Sequence, residues 1–286
     1  MYKIGIWGSE NSHADTFATI FEEEKDFGCK VVAVGGQYED KNLEVSEKYN
    51  IEFIAEKPED MIGKVDAVMI TSRDGKYHAG TAEPLIKAKI PVFIDKPIAN
   101  HSDEALSVAR LAKQHNVPIC GGSALKYAYD ILILQNMVKS KQVQGGMVSA
   151  PLSMNNEYGG FYFYSSHLAE MSMTIFGYDP SSVMAFENNG NVTAAVKYDD
   201  YIVTNHFMDN SYASYHGIVF TREQNFSRPI DFSMTFRHEA KLFVEMLRTG
   251  KSNISLEELI KPVFYLNAVE KSYKKGIEVK VHMPKI

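Results

Sequence analysis

The residues of this chain best suited to chemistry stand in short stretches that follow apolar runs. Gly8-Ser9-Glu10-Asn11-Ser12-His13 comes directly after the strand-like Lys3–Trp7. A turn in that place feeds a helix whose first N–H groups lack intrahelical acceptors and whose dipole is positive at that end, which suits a pyrophosphate. The full dinucleotide pattern wants three glycines: one for the tight turn, one for close backbone approach, one for helix packing. Only Gly8 is present; Glu10 takes the second place and His13 the third. Glu10 is a steric and electrostatic liability beside phosphate. The same six residues also read as a plain strand-to-helix turn capped by Ser9 or Ser12.

Asp95-Lys96-Pro97 follows Pro91–Ile94, Thr71-Ser72-Arg73 ends another apolar run, and His78 opens the helical stretch after it. Ligands of open α/β sheets bind beyond the carboxyl ends of the strands, so these charged and polar groups are well sited. In isolation, Lys-Pro after a strand is an ordinary turn. The second apolar run ends at Gly35-Gly36-Gln37, where an NAD-binding sheet carries an acid for the adenosine ribose. No acid stands there, since Glu39 and Asp40 come later, and no arginine waits for a 2′-phosphate. Lys41 is the nearest cation. The choice between NAD and NADP stays open.

The elements that must position these groups alternate. Strand-like runs at Lys3–Trp7, Cys29–Val34, Ile51–Ile54, Ala67–Thr71, Val92–Ile94 and Val117–Cys120 are separated by helical patterns at Ser12–Glu24, Leu43–Tyr49, Lys76–Ala88 and Ser102–His115. Several strands are apolar without alternation, as a parallel sheet covered on both faces requires. The pattern predicts an α/β fold, a Rossmann doubly wound parallel sheet over residues 1–122. Ser102 is the expected N-cap of the last helix. After Gly121-Gly122 the texture changes: a helix from Tyr127, a strand near Gly146–Leu152, a helix from Ser166, then β-formers broken by turns from Ser182 to Phe220. Helices at about Phe232–Arg248 and Leu256–Lys274 and a strand at Ile277–Val281 close the chain. Residues 123–286 are expected to form a second α+β domain on a mostly antiparallel sheet.

Composition narrows the function. A net charge of −6 leaves no basic excess to neutralise phosphates, so neither nucleic acid nor an anionic membrane is an expected partner. Apolar runs fall well short of the roughly 20 residues that span a bilayer. Two cysteines in separate apolar runs suggest neither a disulfide framework nor a zinc site, and no other metal-ligand spacing is visible. Met1–Trp7 reads as a strand and not as a basic-then-apolar leader, so a cytoplasmic protein is expected.

Val65–Thr71, His78 and Pro91–Ala99 together strongly resemble the Gfo/Idh/MocA family, the glucose–fructose oxidoreductase and inositol dehydrogenase group, whose signature is Glu/Asp-Lys-Pro ahead of a helix. The likeness continues through Val117–Tyr127 and returns at Ser165-Ser166-His167-Leu168-Ala169-Glu170 and in Ser255–Val279. It implies that Lys96 sits between nicotinamide and substrate and steadies an alkoxide-like transition state, with His167 as general acid/base. It implies a cofactor pocket of Gly8, Ser9, Glu10, Asn11, Ser12, His13, Gly36, Thr71, Ser72, Arg73, His78, Asp95, Lys96 and Pro97. Lys126, Tyr127, Tyr164 and Glu170 fall on the substrate side.

The family commonly has an aspartate four residues before the histidine; here it is Phe163, within the aromatic Tyr158–Tyr164. Those rings read as core or as a wall against a sugar. The expectation is an NAD(P)-dependent oxidoreductase moving a hydride to or from a carbinol of a sugar, polyol or related small molecule. The resemblance also implies a homodimer or homotetramer through the second-domain sheet. The competing expectation is a nucleotide-binding sensor of the same fold without turnover.

Overall fold

The computed structural model describes residues 1–286. It divides into two compact units, Met1–Gly122 with Phe236–Leu259 and Ile286, and Ser123–Thr235 with Ile260–Lys285. In the first, β1 (Tyr2–Trp7), β2 (Cys29–Gly35), β3 (Phe53–Ala55), β4 (Ala67–Ile70), β5 (Val92–Asp95) and β6 (Ile119–Gly122) form one parallel sheet in the order β3-β2-β1-β4-β5-β6. The unbroken apolar runs have their cause here, since every residue of β4 and β5 is buried. The chain leaves β1 toward β3 and then returns to β4 on the other side. The switch between β1 and β4 opens the crevice in which such sheets bind ligands.

Helices α1 (Ser12–Glu23), α2 (Glu39–Tyr49), α3 (His78–Lys87) and α4 (Ser102–His115) alternate with these strands. Two caps differ from expectation. Asn11, not Ser9 or Ser12, caps α1, its side chain accepting the His13 N–H at 3.1 Å. His101 caps α4, with Glu104 reaching back to its N–H, and Ser102 is the first helical residue.

The second unit holds α5 (Tyr129–Ser140), β7 (Val143–Leu152), α6 (Phe161–Phe176), β8 (Ser182–Asn188), β9 (Asn191–Lys197), β10 (Ile202–Asp209), β11 (His216–Thr221) and β12 (Asn225–Pro229). The antiparallel pairing expected of the stretch after Ser182 holds for β8-β9-β10. There the succession of neighbours ends, because the ten-residue, largely buried β7 takes the centre of the sheet, pairing parallel with β10 and antiparallel with β11. With the short β13 (Val279–Lys280) at its edge, the sheet order is β12-β11-β7-β10-β9-β8-β13, and all its other pairs are antiparallel. Helix α6 starts five residues earlier than Ser166. Asn156 holds the turn before it, accepting the N–H groups of Tyr158 and Gly160 and donating to the Gly160 carbonyl.

Helix α7 (Thr235–Thr249) departs from the expected 123–286 domain, since from Phe236 onward it groups with the first unit. Its Ala240, Phe243, Val244 and Met246 are buried in one cluster with Phe17 and Phe21 of α1 and Phe93 of β5. Amphipathic periodicity says that a helix has an apolar face, not which sheet that face covers. Helix α8 (Leu256–Lys275) follows, and the two-residue β13 (Val279–Lys280) pairs with β8. No helix is long and apolar enough to cross a membrane.

Candidate active site

The turn after β1 is shaped by one glycine. Gly8 has φ +110°, and a Cβ there would lie 2.2 Å from the Ser72 nitrogen, so the β1 and β4 loops touch through a position no larger residue can take. Thr71, fully buried, donates its hydroxyl to the Gly8 carbonyl at 3.0 Å. Ser9 donates to Asn42 at 2.5 Å, and Asn42 donates to the Gly36 carbonyl, which ties the turn to the end of β2. The Glu10 carboxylate does not lie over the start of α1. It is turned sideways, Oε1 accepting the Arg73 N–H at 3.0 Å, while Oε2 is buried without a hydrogen-bond partner. Ser12 is exposed on the first turn.

Asp95 fastens this turn to β5. Its Oδ2 receives Asn11 Nδ2 at 3.3 Å and lies 2.6 Å from His13 Nδ1, and its Oδ1 accepts the Lys96 N–H at 2.8 Å. His13 therefore does more than fill a glycine's place; its ring also packs edge-on against Phe236, 4.6 Å between centroids. Burial pushes the Asp95 carboxyl up, but His13, the Lys96 ammonium and the Lys96 N–H outweigh it, and the net displacement is downward. A carboxylate lowered in the folded state stabilises above its unfolded value, about 3.9, and that contribution is lost as pH falls through the lowered folded value. Thermal midpoints measured from pH 6 down to pH 3 should therefore fall more steeply for the wild type than for Asp95→Asn. Parallel curves would show that the carboxylate carries no such linkage.

Lys96 is buried, and burial, reinforced by Arg73 and opposed by Asp95, lowers its ammonium below the ordinary lysine range. The Lys96–Pro97 peptide is cis. The Pro97 carbonyl lies 2.7 Å from His78 Nδ1, and the Ser72 carbonyl lies 2.7 Å from His78 Nε2, so the fully buried ring links the loops after β4 and β5. Beside Trp7 and Gln37 a cavity of about 310 Å³ opens, lined also by Glu59, Lys76 and Tyr77. The glycine cradle at Gly8, the orphaned carboxylate oxygen of Glu10 and this cavity fit a dinucleotide.

The second unit carries its own polar cluster. His167 and Glu170 stand one turn apart on α6 and face the short turn Ala124–Tyr127. Ser123 Oγ lies 2.7 Å from His167 Nδ1, and the Ser123 N–H donates to Glu170 Oε1 at 2.6 Å. Lys126 Nζ donates to Glu170 Oε2 at 2.7 Å, and both partners of this ion pair are buried. Lys126 also stands over the half-buried Tyr127 ring. Glu170 thus bonds to the Ser123 N–H and to Lys126, and Ser123 touches both Glu170 and His167. The aromatic stretch divides. Phe161 and Tyr162 are core, whereas Tyr158, Phe163 and Tyr164 are half-buried, with Tyr164 5.8 Å from the His167 ring. Two roomier hollows, about 740 and 760 Å³, share no residue with this cluster.

Ser123 is the functional residue that sequence reading missed. A serine after a strand is a common cap, and it is one here, accepting the Leu125 N–H at 3.3 Å. Only the fold brings a histidine 44 positions away onto the same oxygen.

A doubly wound parallel sheet with a glycine turn after its first strand is the architecture of dinucleotide-binding domains. Residues 2–122 match the Gfo/Idh/MocA model, described as an oxidoreductase family with an NAD-binding Rossmann fold. Over these residues the chain is similar to that family. Scyllo-inositol dehydrogenase from Lactobacillus casei with bound NAD(H) and scyllo-inositol is similar, at 17% identity and TM-score 0.84 over 98% of this chain and 99% of that one. Myo-inositol 2-dehydrogenase from Lactobacillus plantarum gives 16% identity and TM-score 0.84 over 98% and 99%. GenD2 from gentamicin A biosynthesis, in complex with NAD, gives 13% identity and TM-score 0.86 over 98% and 96%. At such identities the likeness establishes the fold. No curated protein matched the chain.

Proposed function

We propose that this protein is a nicotinamide-dependent dehydrogenase or reductase of a carbinol in a sugar, polyol or related small molecule. The observation that carries the proposal is Lys96, buried at the end of β5 in an Asp-Lys-Pro whose aspartate is bonded to the dinucleotide turn. The substrate class is supported by the similar structures described as acting on scyllo- and myo-inositol.

Oxidising a carbinol takes a hydride from carbon and a proton from oxygen. The bound nicotinamide supplies the hydride chemistry. The Gly8–His13 turn would hold the pyrophosphate, and the cavity beside Trp7 and Gln37 would take the adenine. Lys96 Nζ lowers the energy of negative charge growing on the substrate oxygen. His167 moves the proton at Nε2. For that it keeps a proton on Nδ1, which Ser123 Oγ accepts, so that the lone pair is left on Nε2. Tyr164 and Tyr127 offer ring faces to the substrate, while Lys126 and Glu170 hold the Ser123 turn in place.

We read the assembly as a homodimer or homotetramer built on the sheet of the second unit. Its exposed Phe186, Ile202, Met208 and Phe220 support this, being large apolar groups in strands. A monomer in sedimentation at micromolar concentration would count against it. A cytoplasmic location belongs to the same reading, supported by the need for a free nicotinamide pool, and cell fractionation tests it.

The experiment for the function is a titration of purified protein with NADH and NADPH, followed by nicotinamide fluorescence and energy transfer from Trp7, the only tryptophan. Trp7 packs on Gly35 at the end of β2, against the adenine cavity. Micromolar binding of either form is expected. Folded protein that binds neither form, reduced or oxidised, would sink the proposal.

A further inference from the structure

The end of β2 lacks the carboxylate that a dinucleotide fold usually places against the adenosine ribose. Gly35 and Gly36 stand there, and the next acids, Glu39 and Asp40, are exposed at the start of α2. Another carboxylate occupies the vacated position. A Cβ built on Gly36 would lie 3.3 Å from Glu10 Oε2 and 3.2 Å from the Ser9 nitrogen, so the Glu10 carboxylate stands where a side chain at residue 36 would emerge. It is held there from one side only. Oε1 accepts the Arg73 N–H, and Oε2 is buried with no hydrogen-bond partner. A buried anionic oxygen without a donor is costly, so a donor is the missing part of this arrangement. The cavity lined by Trp7 and Gln37 adjoins the same strand end, since Gln37 directly follows Gly36.

We infer that Glu10, from within the phosphate turn, is the ribose acid of this protein, and that it selects NAD over NADP. This rests on the dinucleotide-dependent reading above. The 2′-hydroxyl of NAD donates a hydrogen bond to Oε2. The 2′-phosphate of NADP has no proton to give at neutral pH and meets a like charge. The substitution that breaks the glycine pattern thus restores a function missing at β2. With the Glu10 charge gone, the repulsion of a 2′-phosphate is removed.

The test measures dissociation constants of NADH and NADPH by nicotinamide fluorescence for wild type, Glu10→Gln and Glu10→Ala, with circular dichroism to show that each is folded. Wild type is expected to bind NADH about tenfold or more tighter than NADPH, the span of a hydrogen bond to a charged group. Glu10→Gln keeps an acceptor but loses the charge, so NADPH affinity rises and the preference shrinks by about tenfold. Glu10→Ala weakens NADH as well. A wild type that prefers NADPH, or an unchanged ratio in Glu10→Gln, overturns the assignment while leaving the dehydrogenase reading standing. Binding of neither nucleotide by any of the three proteins overturns both.

Discussion

Lys96→Ala is expected to lower kcat by about a thousandfold, the loss typical when one charged donor is removed from a developing oxyanion. The NADH dissociation constant should move only a few-fold, because the turn around Gly8, the Asp95 anchor and His78 remain. The separation is the informative part. An interaction present only in the transition state lowers kcat and kcat/KM together, whereas lost ground-state binding appears in KM. Burial and Arg73 lower the ammonium of Lys96, so a rate that depends on its charge should fall on the alkaline side at a lower pH than an ordinary lysine would give. Unchanged kcat in Lys96→Ala would remove the residue from the reacting centre. Intact NADH binding with no turnover of any polyol or sugar by the wild type would favour the sensor reading.

His167→Ala should cost between about a hundred- and ten-thousandfold in kcat, the range of a positioned acid/base. Ser123→Ala provides the sharper comparison. It leaves the imidazole but takes away the oxygen 2.7 Å from Nδ1, so the expected result is a smaller loss, about tenfold, together with a displaced pH profile of kcat/KM. Ser123→Thr, which keeps a hydroxyl, should recover most of it. If Ser123→Ala lost stability and rate while its pH profile stayed fixed, Ser123 would be a helix-turn cap and nothing more. Where the family commonly has an aspartate this chain has Phe163, and the Ser123 hydroxyl lies against His167 Nδ1.

How much of this was legible beforehand depends on the range of the interaction. The continuous apolar runs of β4 and β5 fixed a covered parallel sheet, and Asp95-Lys96-Pro97 at a strand end was recognisable because sequence position alone puts it at the carboxyl edge. Local rules erred where neighbours compete. Asn11 won the α1 cap over two serines because its amide can also donate to the Thr71 carbonyl and Asp95, which a hydroxyl facing the same N–H cannot reach. Pairings across the chain were beyond reach. Nothing in the β-forming stretch after Ser182 announces that β11 will cross to β7, or that α7 will bury Phe243 against Phe93. The direction of the Glu10 carboxylate was likewise invisible, because it follows from Gly36 having no side chain.

The anchor at Asp95 also bears on how this sequence can change. One carboxylate oxygen serves Asn11 and His13, and the other serves the backbone of Lys96, so the turn after β1 and the lysine have one support in common. Substitutions at 11, 13 and 95 are then energetically coupled and their costs do not add. A lineage of this chain that recovers the glycine pattern at position 13 meets a cost at Asp95 first. Losing the histidine first leaves the buried Asp95 oxygen with Asn11 alone, and losing the carboxylate first frees the histidine and the Lys96 N–H, so each single step costs more than the pair changed together.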